Sequence, residues 1–105
     1  MSEERKTKTD AAAPASAALG RIDRKDAFLQ ALHTFLTAHQ GTEWAVAAVD
    51  IQHFKLYNEL YGTEKGDVLL ETMANCLLGY SKQTGYPVGY FGNDDFFLCL
   101  SLIHI

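Results

Sequence analysis

The sequence predicts a mixed α/β domain on three observations. Several stretches repeat apolar residues at helical spacing, short β-branched and aromatic runs stop at acidic or glycine residues, and a Gly-Asn pair separates the last two runs. The predicted order is helix, strand, helix, helix, strand, strand, which describes a sheet containing an antiparallel hairpin and flanked by helices. With 105 residues, 48% of them hydrophobic, there is material for one core and not for two.

Residues 1–18 combine a mixed-charge start (Glu3, Glu4, Arg5, Lys6, Lys8, Asp10) with the Ala/Pro/Ser stretch Ala11 to Ala18. They contain too little apolar surface to repay ordering and read as a disordered tail, with residues 19–105 as the folded part. An Ala-rich helix is the rival reading, and Pro14 speaks against it. Asp23 is the expected cap of a first helix, with Phe28, Leu29, Leu32, Phe35 and Leu36 on its apolar face and Gly41 ending it. Trp44 to Val49 reads as a buried strand stopping at Asp50. A helix from about Phe54 to Tyr61 is closed by Gly62. A second, from about Gly66 to Tyr80, places Leu69, Leu70, Met73, Ala74 and Leu77 on one face. Residues 81–86 read as a loop. Pro87 to Phe91 and Phe96 to Ile103 then form two strands joined by Gly92-Asn93-Asp94-Asp95.

Composition removes several function classes. The formal charge is −4 and Lys and Arg do not cluster, which argues against a nucleic-acid surface. No apolar run approaches the roughly 20 residues of a membrane-spanning helix, and no signal-like segment follows the N-terminus, so the expectation is a cytoplasmic chain with no membrane contact. His33, His39, His53 and His104 lack metal-ligand spacing, and no Gly-rich phosphate loop of the Walker type occurs. Cys76 and Cys99 read as small buried hydrophobes, with a single disulfide as the other reading.

Chemistry is most plausible at three carboxylates. Asp50 ends a strand, Asp94 and Asp95 sit in the hairpin turn, and pairing of the hairpin beside the first strand would bring all three to one end of the sheet. Hard oxygen ligands of this kind suit Mg²⁺ or Mn²⁺. The plainer alternative is that Asp50 caps a helix and the Asp pair only builds a turn.

The run Val49-Asp50-Ile51-Gln52-His53-Phe54-Lys55-Leu56-Tyr57-Asn58-Glu59-Leu60-Tyr61-Gly62, then Gly66-Asp67, then Gly92-Asn93-Asp94-Asp95-Phe96, resembles the GGDEF family of diguanylate cyclase domains. The segment from Leu19 to Phe28 is similar to the family's first motif. The resemblance implies an adenylyl-cyclase-like palm in which two GTP-loaded domains meet as a homodimer through their active-site faces and form cyclic di-GMP and pyrophosphate by metal-assisted phosphoryl transfer. It implies that Asp50, the Ile51 carbonyl and Asp94 bind metal (Mg²⁺ or Mn²⁺) and that Asp94 and Asp95 are catalytic. It further implies that Asn58, Asp67 and Gly92 bind substrate, and that a tandem phosphodiesterase domain is a candidate partner. The same comparison implies bacterial signalling in the cytoplasm. The plain reading of Asn58 is an exposed helix residue, and of Asp67 an acid favouring a helix N-terminus.

Departures from the pattern point to weakened or lost turnover. Gln52 stands where the family has a second Asp, Asn93 replaces the second hairpin glycine, Tyr90 takes the place of an Arg, and Thr63 replaces a His. The product-inhibition motif falls on Gln83, Thr84, Gly85 and Tyr86, which cannot supply it. The implied reading is a GTP-binding or regulatory module, with an active cyclase as the alternative. The chain stops at Ser101-Leu102-Ile103-His104-Ile105, where the family pattern continues, so the domain is expected to be incomplete at its C-terminus, with apolar edges exposed.

Overall fold

The computed structural model describes residues 17–104; the tail assigned to residues 1–18 lies almost wholly outside them. The elements are α1 (Ala17–Arg21), α2 (Lys25–Ala38), β1 (Trp44–Val49), α3 (Phe54–Tyr61), α4 (Thr63–Thr84), β2 (Val88–Gly92) and β3 (Asp95–Ser101), followed by a 3₁₀ turn at Leu102–His104. The three strands form an antiparallel sheet in the order β1-β3-β2. The mixed fold class with a hairpin is therefore present as read from the sequence.

Side-chain alternation along the strands divides the molecule into layers. On one face, Val88, Tyr90 and Phe96 pack with Leu70, Ala74 and Leu77 of α4 and with Ala18 and Ile22 of the α1 segment. On the other, the fully buried Phe28 of α2 meets Phe91 edge-on at 5.9 Å and Phe97 at 6.4 Å. Gly89 makes that approach possible, because a Cβ there would sit 2.7 Å from the Phe28 ring.

Tertiary pairing moved several boundaries. Asp23 does not cap α2: its carbonyl accepts the Tyr90 N–H at 2.8 Å in a bridge beside β2, and Arg24 precedes the helix without a side-chain cap. The helix ends at Ala38, short of Gly41, where the His39 ring stacks on Phe35 at 4.1 Å. Leu29, assigned to its apolar face, is 46% exposed. The strand read as buried is only half so. Ala45, Ala47 and Val49 are half-buried, with Val49 packed against the core, whereas Val46 is 46% exposed; α2 meets β1 at its start, where Phe35 lies edge-on to Trp44 at 4.8 Å.

The apolar face read for α4 is correct at Leu70, Ala74 and Leu77, but the helix is longer at both ends. Gly62, at φ 96°, is the only break after α3, so α4 starts at Thr63, and residues 81–84 extend it to a left-handed Gly85. Asp67 thus lies in the second turn, away from the helix N-terminus. The hairpin is tighter than its four-residue reading: Gly92 pairs with Asp95, leaving Asn93 and Asp94 as the turn. β2 runs one residue later than read, and β3 ends at Ser101 instead of Ile103. Cys99 is buried as expected and Cys76 is exposed; both are free.

Candidate functional site

The register Val49↔Phe96 brings the end of β1 against the start of β3, so Asp50, just past β1, lies beside Asp95, the first residue of β3, and Asp94 stands one residue beyond. The convergence expected of the three acids is present. The Asp94 carboxylate accepts the Ile51 N–H at 3.1 Å, tying the hairpin turn to the segment between β1 and α3. That segment reverses tightly: Phe54 N–H donates to the Ile51 carbonyl at 3.1 Å, and His53 is left-handed at φ 60°. A non-glycine residue there is uncommon and is tolerated where surrounding contacts hold it.

A polar cavity of about 910 Å³ opens over this junction, lined by residues 50–55 together with Asn58, Asn93 and Asp94. It gathers Asp50, Ile51, Asn58 and Asp94 from the sequence-derived set. Asp95 faces a smaller recess of about 180 Å³ shared with Asp50. Gly92, at φ 109°, shapes the turn behind the cavity, and neither it nor Asp67 is part of the lining. Two polar lining residues had no role in the sequence reading: His53, and Lys55, which brings the cavity a flexible cation. Their signal was contiguity, since both lie between Asp50 and Asn58 in a turn that must fold back on itself.

Asn58 is held from α4. Its Oδ1 is buried without a hydrogen-bond partner, and its amide lies so close to Gly66 that any Cβ at that position would overlap it. Glycine at 66 is therefore a steric requirement of the Asn58 placement.

The donor set suits a hard cation in kind: two carboxylates and the Ile51 carbonyl, whose second lone pair is free after the Phe54 bond. Among the described residues no group of three or more His, Cys, Asp or Glu side chains is close enough to hold a metal ion. Gln52, on the cavity wall in place of an acid, is one reason; its amide nitrogen lies 3.4 Å from His53 Nε2. A second cavity, of about 570 Å³, lies between α2, the end of α4 and β2, and contains none of the residues read as functional from the sequence.

A layered α/β domain with an acidic hairpin beside its first strand defines the class. The family model described as diguanylate cyclase, GGDEF domain, matches residues 18–104, and the chain belongs to the GGDEF family. Solved structures agree on the fold. The GGDEF domain of DgcB from Caulobacter crescentus, in complex with c-di-GMP, is 21% identical with a TM-score of 0.64, over 93% of this chain and 56% of that one. A microbial GGDEF domain described in a novel interaction mode with c-di-GMP is 21% identical with a TM-score of 0.63, over 74% and 52%. The coiled-coil and GGDEF portion of DgcB is 21% identical at a TM-score of 0.58, over 85% and 49%. The chain thus spans about half the length of these structures. No curated protein sequence matches it. Among the described residues, no helix is long and apolar enough to cross a membrane.

Proposed function

We propose that this chain is a cyclic di-GMP signalling domain that binds a guanine nucleotide with Mg²⁺ or Mn²⁺ in the cavity over the hairpin and turns it over weakly or not at all. The observation that carries this reading is Asn58: its unpartnered Oδ1 belongs to a residue on the wall that also holds Asp50, Ile51 and Asp94. A buried acceptor without a partner is costly, and rotation of the amide would offer it to a guanine N–H donor. Asp50, the Ile51 carbonyl and Asp94 would hold the cation, and Lys55 would meet phosphate. A bound cation supplies screening of phosphate charge and orientation of the reacting oxygens.

Weak turnover is supported by the same wall. Gln52 supplies no charge, and Asn93 lines the cavity with a side chain where the family pattern has glycine. Asp95 would act from the neighbouring recess, and Asp67 and Gly92 would support the nucleotide from outside the lining. Pairing of two copies through this face, or with a phosphodiesterase domain, belongs to the same proposal.

Calorimetric titration of the full chain with GTP and Mg²⁺, with product analysis for cyclic di-GMP, tests it. Saturable binding that is lost in Asp94→Ala, with little or no product, is the expected result. Binding that survives Asp94→Ala removes the site assignment, and product formation that depends on Asp94 favours the active cyclase.

A further inference from the structure

The hairpin turn carries a non-glycine residue in a conformation that glycine adopts freely. Asn93 has φ 51°, in the left-handed region that L residues enter at a cost. The next residue is Asp94, whose carboxylate must reach the Ile51 amide. Asn enters that region at less cost than most L residues, and Tyr90 contacts the turn directly.

Tyr90 is only 7% exposed, and the link between α1 and α2 and strand β3 fix it. Its N–H donates to the Asp23 carbonyl at 2.8 Å. Its ring packs against Phe96 at 4.6 Å, tilted by 31°, and the Arg24 guanidinium lies over the ring at 4.6 Å from the centroid. A register shift between Tyr90 and Gly92 aims the side chain along the hairpin, and its hydroxyl donates to the Asn93 carbonyl at 2.7 Å. Burial pushes the phenol pKa up against the opposing pull of Arg24, so the hydroxyl keeps its proton and remains a donor.

We propose that Tyr90 is a positioning residue: its hydroxyl bond to Asn93 holds the left-handed turn that delivers Asp94 to the Ile51 amide and the cavity. The functional part of this inference rests on Asp94 being a cation ligand, as proposed above; the positioning part does not. Tyr90 stands where the family pattern has an Arg, so the brace belongs to this chain's own sequence and accompanies another departure in the same hairpin, Asn93.

The test uses the full chain with Tyr90→Phe, Asn93→Gly and the double variant. Tyr90→Phe keeps the buried ring and removes only the donor. Two quantities are read: hydrogen exchange of the Ile51 amide, which reports whether Asp94 is in place, and Mn²⁺ affinity by electron paramagnetic resonance. Tyr90→Phe is expected to speed Ile51 exchange and weaken Mn²⁺ binding, each by about two- to tenfold. In the Asn93→Gly background, where the turn needs no brace, the same change should have less than half that effect on a logarithmic scale. Unchanged Ile51 exchange in Tyr90→Phe overturns the proposal, as does an equal effect in both backgrounds. Absence of Mn²⁺ binding by the parent chain overturns the cation reading alone, and the Ile51 exchange comparison then decides the positioning.

Discussion

Gly66 and Asn58 form one unit across α3 and α4, and this pair makes the clearest statement at the scale of the residue. Gly66→Ala should cost about 1–3 kcal/mol in urea unfolding, because the added methyl collides with the Asn58 amide. In an Asn58→Ala background the same change should be near neutral, since the obstacle is gone and Ala suits a helix better than Gly. If the proposed nucleotide site is correct, Gly66→Ala also weakens GTP binding by displacing Asn58. The resemblance marked Asn58 and Asp67 as candidates, with Gly66 only a part of the same motif. It could not show that Gly66 serves Asn58 by steric contact, nor that Asp67 lies off the cavity lining, because both depend on how α3 crosses α4.

At the scale of the element, α4 supplies much of the core from one stripe. Leu70→Ala removes a side chain that is only 7% exposed and should cost about 2–5 kcal/mol by urea titration. Leu60→Ala, on α3 and 66% exposed, should stay within about 0.5 kcal/mol. Residues of equal hydrophobicity thus differ because only part of each helix surface is covered by the rest of the fold. The period of α4 was legible because Leu70, Ala74 and Leu77 repeat over about two turns. Its ends were not, since a single Gly62 separates two helices without an intervening loop. α1 was not legible either: five residues carry too little pattern, and what holds them is tertiary, with the Glu71 carboxylate accepting the Ala18 and Leu19 N–H groups at 2.7 and 3.3 Å. β1 was legible as a strand but not as a half-covered one, because its exposure depends on how much of the sheet the helices cover.

Across the whole molecule, three acidic protons, two on buried residues and one on the half-buried Tyr80, link stability to pH. Burial raises Cys99 above its ordinary 9.0 and Tyr80 and Tyr90 above 10.0, Tyr80 also donating to the Cys99 carbonyl at 2.7 Å. A raised folded-state pKa means that the folded form holds its proton more tightly. This contribution is complete below the unfolded value and is lost as pH rises through the folded one. The urea midpoint should therefore be insensitive to these groups up to about pH 9 and fall above it, and Cys99→Ala should remove the earliest part of the fall. A midpoint that is flat from about pH 9 to 11 would contradict the raised values of all three. By itself, the sequence determined the mixed fold class, the family, the hairpin and the candidate acids, because periodicity and motif spacing are local and survive without coordinates. Only the tertiary structure decided which acids share a wall, that Asn58 is packed against Gly66 with an unpartnered oxygen, and that Tyr90 reaches Asn93. Those facts arise from strand register and helix crossing, which bring together residues that the chain keeps far apart.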